Sequence, residues 1–225
     1  MNSKSTSPLF RTKNGRIPVA MFVSPDESSL DAVLDAQKRG KIGSAFIEIV
    51  ISSNDNAKSL TIAASEEIAT AVVSHNYSED SDAVQNLLEL LDEHEIGMIV
   101  IDNFTCKLDD EIRRRYKGRI LVVQPSLMPA FYEDGLCGVD IQKAALEYGI
   151  KVAGVTVYIL GDSDSRNKIV LQKPVAVRRD ETPESLDYRI RVAYGEETLP
   201  KAIDMIAGAE LKKIRAYQIE KKYVN

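Results

Sequence analysis

The sequence predicts an α/β fold with a mostly parallel central sheet flanked by helices, and three observations lead to it. First, apolar β-branched runs at residues 17–23, 46–51, 98–101 and 120–123 alternate with helical segments of about 10–15 residues, the rhythm of βαβ units. Second, the run at 120–123 carries no polar residue, as is usual for a strand buried on both faces, so it is expected to lie centrally in the sheet. Third, residues 152–160 and 169–177 are both rich in β-branched side chains and enclose the polar loop 161–167, which predicts two antiparallel strands near the C-terminal end.

The elements follow in order. Residues 1–16 have the composition of a flexible tail ending in an Asn14-Gly15 turn signal, and a single domain is expected over 17–225. After the strand at 17–23 comes the loop Ser24-Pro25-Asp26-Glu27-Ser28-Ser29, then helical spacing at Leu30, Val33, Leu34 and Ala36 closed by Gly40. A helix is expected at 54–68 and a short strand at Val72 and Val73. The acidic stretch 78–82 reads as the cap of a helix at 83–94, and another helix is expected at 108–116. Pro125 and Pro129 lack amide protons and restrict their predecessors, so the strand at 120–123 must stop at Gln124. Gln124 therefore stands at a strand's carboxyl end, where open α/β sheets place ligand crevices. Residues 142–148 are expected to form a helix ended by Gly149. Thr182-Pro183-Glu184 starts a helical pattern that continues through 203–214, and residues 212–222 form a mixed-charge amphipathic end, read as a solvated face or a partner surface.

Length and composition bound the function. At 225 residues with 44% hydrophobic content, the chain can bury one sizeable core. A net charge of -5, with no basic stripe before the last residues, argues against a nucleic-acid surface. The polar N-terminal stretch lacks a signal-like core and no run is long enough to span a bilayer, so a cytoplasmic protein with no membrane contact is expected. Cys106 and Cys137 lie in no metal-like spacing and are expected to be free thiols; no metal is expected.

The segment Pro125-Ser126-Leu127-Met128-Pro129 resembles the N-x-H-P-S-L-L-P signature of glycinamide ribonucleotide formyltransferases. The likeness extends over roughly residues 17–208 and includes Gly135-x-x-Gly138, Lys151-Val152-x-Gly154-x-Thr156-Val157 and Ile169-Val170-Leu171-Gln172-Lys173. It implies the formyltransferase, Rossmann-like fold. It also implies 10-formyltetrahydrofolate as co-substrate and a place in purine synthesis.

Residue by residue, the resemblance puts catalytic positions at Val122, where the family carries Asn, at Gln124, where it carries His, and at Ser165, where it carries Asp. Asn and His would stabilise an oxyanion while Asp sets protonation. Valine can do neither, and the Gln124 amide can donate a hydrogen bond but cannot shuttle a proton near neutral pH. Asp164 or Asp162 could replace Ser165 after a shift, or belong to an acidic surface loop. Substrate positions fall at Ser28 and Ser29 in the first loop and at Glu196; co-substrate positions fall at Phe104, Leu108 and Gln142, of which Phe104 and Leu108 read equally as core. Where the family has a glycine-rich phosphate cradle, this chain has Pro25, Asp26 and Glu27, which either repel a phosphate or complement the helix dipole. His75 and His94, the two histidines, lie in segments remote from the motif and are expected at the surface.

The resemblance thus implies a divergent formyltransferase, inactive or strongly impaired, with a ligand-binding or regulatory role toward a folate- or sugar-like small molecule. Two alternatives stand beside it: an active formyl- or acyltransferase acting on a substrate without phosphate, and a structural partner of an active homologue. Self-association as a homo-oligomer is left open.

Overall fold

The computed structural model describes residues 12–23, 29–73, 81–104, 108–131, 136, 138–162 and 165–224. Seven strands form one sheet in the order β3-β2-β1-β4-β5-β6-β7. They are β1 (Ile17–Val23), β2 (Ala45–Ser52), β3 (Ala69–Val72), β4 (Met98–Asp102), β5 (Ile120–Gln124), β6 (Val152–Ile159) and β7 (Lys168–Ala176). β1 to β5 pair in parallel, while β6 and β7 run antiparallel, as the two β-branched runs and their polar loop predict. The fold is therefore α/β with a mostly parallel sheet and antiparallel C-terminal strands.

Side-chain alternation sends each parallel strand's residues into two cores, one on either face. Val19, Met21, Val100, Leu121 and Val123 pack under α1 (Leu30–Lys38), α2 (Lys58–Ser65), α6 (Pro183–Ala193) and α7 (Leu199–Val224). Ala20, Phe22, Ile99, Ile101 and Ile120 pack under α3 (Ser81–Glu93) and α4 (Asp110–Arg115). The remaining helix, α5 (Val139–Glu147), follows β5 and precedes β6. No helix among the described residues is long and apolar enough to cross a membrane.

Several local expectations shift. The second helix is shorter than 54–68, because Asn54 instead forms a turn through its side-chain acceptor of the Asn56 amide. The third strand lies at Ala69–Val72 rather than at 72–73, on the sheet edge. β5 is an interior strand but stands one place from the middle, which β4 occupies. The long C-terminal helical pattern is interrupted by a π turn, Tyr194–Thr198, between α6 and α7.

Ahead of β1 the structure describes residues 12–16. Asn14 and Gly15, both at positive φ, form a tight turn bridging Lys13 and Arg16, and the Arg16 guanidinium donates to the carbonyls of Ile42 and Ala45. His94 is half-buried beside Glu48, 3.5 Å from its carboxylate, while His75 lies outside the described residues.

Candidate functional site

A ligand crevice in an open parallel sheet forms beyond the carboxyl ends of the strands, where the chain reverses the direction in which it adds strands. Here β1 leads outward through α1 to β2, whereas β4 leads the other way through α4 to β5. The switch point lies between β1 and β4, whose last paired rung is Val23 with Asp102.

Asp102 dominates this point. It ends an otherwise apolar strand, is 0% exposed, and faces α1 and the π turn. Its Oδ2 accepts the Ser29 amide at 2.6 Å and the Ser29 hydroxyl at 2.8 Å; its Oδ1 accepts the Tyr194 hydroxyl at 2.9 Å. Ser29 stands at the N-cap of α1 but its side chain does not cap the helix, since its hydroxyl goes to Asp102 instead. Burial raises the Asp102 pKa, opposed by the three donors and by the charge of Arg191. Tyr194 is held well above its ordinary value by burial and by its carboxyl neighbour.

The π turn makes this contact. It brings Gly195 so close to α1 that a Cβ there would lie 3.0 Å from the Ser29 Cβ and 3.1 Å from the Ala32 Cβ. Glycine eases that approach, since a side chain there would press on both Cβ atoms, and the close packing sets Tyr194 over Asp102. Sequence reasoning picked out Ser29 but missed Asp102 and Tyr194. The available signal was a carboxylate directly following the apolar residues 98–101.

At the end of β5, the half-buried Gln124 side chain donates to the Ser126 hydroxyl at 3.3 Å and to the Phe131 carbonyl at 3.5 Å. Val122 shares its face, pairs with Ile101 and Tyr158, and packs at the margin of the α3–α4 core. Gln142, 1% exposed, donates to the Pro125 carbonyl at 2.7 Å and so ties the proline loop to α5. Thr156 completes the support, donating to the Ser126 carbonyl and accepting from the Met128 amide. The Met128–Pro129 peptide is cis.

Leu127 of this loop packs over Gly154 of β6. A Cβ at Gly154 would meet the Lys173 carbonyl oxygen at 2.2 Å and Leu127 Cδ2 at 2.8 Å. Gly154→Ala is expected to lower stability by about 2–3 kcal/mol, because the obstacle includes backbone of the paired strand. Thermal denaturation checks this, with an expected fall in midpoint of about 4–10 °C.

The other described sequence-derived positions lie as follows. Ser165 and Asp162 lie in the loop following β6, which starts beyond the amino end of β5, where the Leu160 amide donates to the Ile120 carbonyl. The Ser165 hydroxyl donates to Asp162, and Asp162 is buried against Lys117 at 2.8 Å. Phe104 stacks edge-on with Phe22 in the α3–α4 core, and Leu108 is buried in the same cluster. Glu196 is exposed in the π turn, its carbonyl 3.4 Å from the Lys41 ammonium. Pro25, Asp26, Glu27, Ser28, Cys106, Gly135, Cys137 and Asp164 lie outside the described residues.

The formyl transferase family matches residues 17–203, most of the chain. The chain belongs to the formyl transferase family. Among relatives, the trifunctional purine biosynthetic protein adenosine-3 of Homo sapiens is 28% identical over 204 residues, covering 90% of this chain and 19% of that protein. The phosphoribosylglycinamide formyltransferase of Bacillus subtilis is 27% identical over 172 residues, covering 76% of this chain and 85% of that one. The chain thus spans about a fifth of the first relative and most of the second. In structure, the glycinamide ribonucleotide transformylase 1 from Symbiobacterium toebii superposes with a TM-score of 0.75 at 28% identity, covering 88% of this chain and 90% of that one. The phosphoribosylglycinamide formyltransferase from Anaplasma phagocytophilum gives a TM-score of 0.72, also at 28% identity, with 86% and 88% covered. Within this formyl transferase scaffold, Asp102 ends β4 on the face covered by α1 and the π turn, whereas Val122 and Gln124 lie on the opposite face of β5.

Proposed function

We propose that this chain is a formyl transferase family member related to the phosphoribosylglycinamide enzymes that no longer performs their reaction at an ordinary rate and serves instead to bind a small molecule in a regulatory role. The observation that carries this reading is the end of β5. There Gln124 has its amide donated to Ser126 and Phe131, and its neighbour on the same face is the apolar Val122. A carboxamide neither takes nor gives a proton near neutral pH, so acid–base work at this position has no carrier. His94 is held beside Glu48, away from this strand end.

The test is formyl transfer from 10-formyltetrahydrofolate to glycinamide ribonucleotide by purified protein, alongside a thermal-shift comparison of reduced folates with phosphosugars. No ordinary turnover together with a stabilising small molecule is the expected result. Turnover within about tenfold of an ordinary family member rejects the reading.

A second reading is favoured by the length of the two Gln124 hydrogen bonds, 3.3 and 3.5 Å. Bonds that long are weak, and the amide could turn to stabilise an oxyanion formed from an acyl donor. In that case the protein is an active acyltransferase on a substrate without phosphate. Release of tetrahydrofolate from the formylated co-substrate, with formylation of amine acceptors lacking phosphate, separates it from the first reading.

A further inference from the structure

The chain leaves the sheet at Pro125, and the first residues of β6 thereby lose a neighbouring strand on that side. The Leu160 amide donates to the Ile120 carbonyl, and the Val177 amide to the Lys151 carbonyl. Bonded pairs recur at every second residue of an antiparallel ladder, so residues 154, 156 and 158 direct N–H and C=O toward β5, and residues 153, 155 and 157 toward β7. The β5 ladder ends at Gln124 with Thr156. One step further, Gly154 has no strand opposite it, because the Ser126 carbonyl and the Met128 amide are both taken by the Thr156 hydroxyl. Gly154 is buried, yet its amide and carbonyl have no hydrogen-bond partner among the described residues. Buried main-chain groups are nearly always paired, so this donor and acceptor call for a partner.

Gly154 lines a cavity of about 60 Å³ between the proline loop, α5 and β6. Gln142 enters the same cavity from α5 and is 1% exposed. Its Nε2 donates to the Pro125 carbonyl, which leaves its Oε1, and that oxygen accepts no hydrogen bond among the described residues. Leu127, Ile141 and Ala145 form an apolar wall, and no charged side chain among the described residues lines the space.

We propose that this cavity is a binding site for a short, neutral aliphatic amide, whose carbonyl accepts from the Gly154 amide, whose N–H group donates to Gln142 Oε1, and whose alkyl part lies against the apolar wall. Three features select that class. A hydroxyl carries donor and acceptor on one atom, whereas an amide spreads them over two and can serve Gly154 and Gln142 together. A carboxylate or ammonium group would lose its hydration here without a charged partner. The volume exceeds the need of one water and limits the group to roughly four to six non-hydrogen atoms. Ser126 lines the cavity and also accepts from Gln124, so a ligand seated here bears on the end of β5 from behind the proline loop. The inference deepens the reading of the chain as a small-molecule binder, on which it rests, by giving the ligand's class and seat.

Propionamide is the probe, followed through the backbone amide resonance of Gly154 and by thermal denaturation. The Gly154 resonance is expected to move saturably, and about 100 mM propionamide to raise the midpoint by about 3 °C, the size produced by a ligand at roughly ten times its Kd. Sodium propionate and propan-1-ol are expected to bind at least about tenfold more weakly, each leaving a buried group unpaired or a charge unpartnered. Ala145→Leu fills the apolar wall and is expected to abolish both responses; Ala145→Val, a smaller intrusion, replaces it if the leucine variant does not fold. Absence of a saturable Gly154 response to propionamide overturns the proposal. So does an equal response to propionate, or a response that persists in the Ala145 variant.

These readouts involve no catalysis and are separable from the test of function. A protein without formyl transfer that is stabilised by reduced folates or phosphosugars and not by propionamide loses this site and keeps the functional reading. A protein that turns over at an ordinary rate and binds propionamide keeps the site and loses the reading.

Discussion

Formyl transfer from 10-formyltetrahydrofolate to glycinamide ribonucleotide is expected to run at least about a thousandfold below the rate of an ordinary family member. Two losses set that figure. Proton transfer by a positioned side chain contributes about 10²- to 10⁴-fold, and one oxyanion donor about 10²- to 10³-fold. Val122 offers no hydrogen bond, and Gln124 can at most supply a donor after giving up those to Ser126 and Phe131. The losses are not expected to multiply fully, because groups acting on one transition state are strongly non-additive. The double variant Val122→Asn with Gln124→His is expected to recover only part of the deficit, since Ser165 still stands where the resemblance puts Asp, with its hydroxyl directed to Asp162. Single-turnover kinetics check this; recovery to an ordinary rate would mean that the two β5 positions alone govern the chemistry.

The largest expected change in stability comes from Asp102→Ala. Its removal leaves the Ser29 amide, the Ser29 hydroxyl and the Tyr194 hydroxyl without their acceptor in a buried place. At about 1–3 kcal/mol for each buried unsatisfied group, partly relieved by relaxation, the loss is expected to be about 3–5 kcal/mol. A urea midpoint that falls with an unchanged slope checks it.

Asp102 also predicts a pH dependence. Burial places its folded pKa above the unfolded value near 3.8. A raised carboxyl group contributes stability that is fully present below the unfolded pKa and is lost as pH rises through the folded pKa. Wild type is therefore expected to gain stability relative to Asp102→Asn as pH falls from neutral toward about 4, with a slope no steeper than about 1.4 kcal/mol per pH unit. A difference between the two that is flat over this range, or that moves the other way, contradicts the burial argument.

Local chemistry carried much of the fold into the sequence. Apolar runs of four to eight residues, Gly and Pro stops, and the polar loop between two β-branched runs depend on near neighbours, and β1, β2, β4, β5 and the antiparallel pair β6–β7 lie where those signals put them. Boundaries were less legible, because the start of α2 and the place of β3 are set by an Asx turn and by pairing with β2. The proline loop was visible as a motif. Its anchoring was not, since Gln142 and Thr156 reach it from α5 and β6.

The sequence by itself determined the α/β class, the formyl transferase resemblance and the loss of Asn and His types from Val122 and Gln124. Only the tertiary structure decided what surrounds the carboxyl end of β4. Asp102 meets Ser29 across 73 positions and Tyr194 across 92. No periodicity within a segment can encode such a meeting, because it depends on strand order, on the π turn and on the close approach that Gly195 permits.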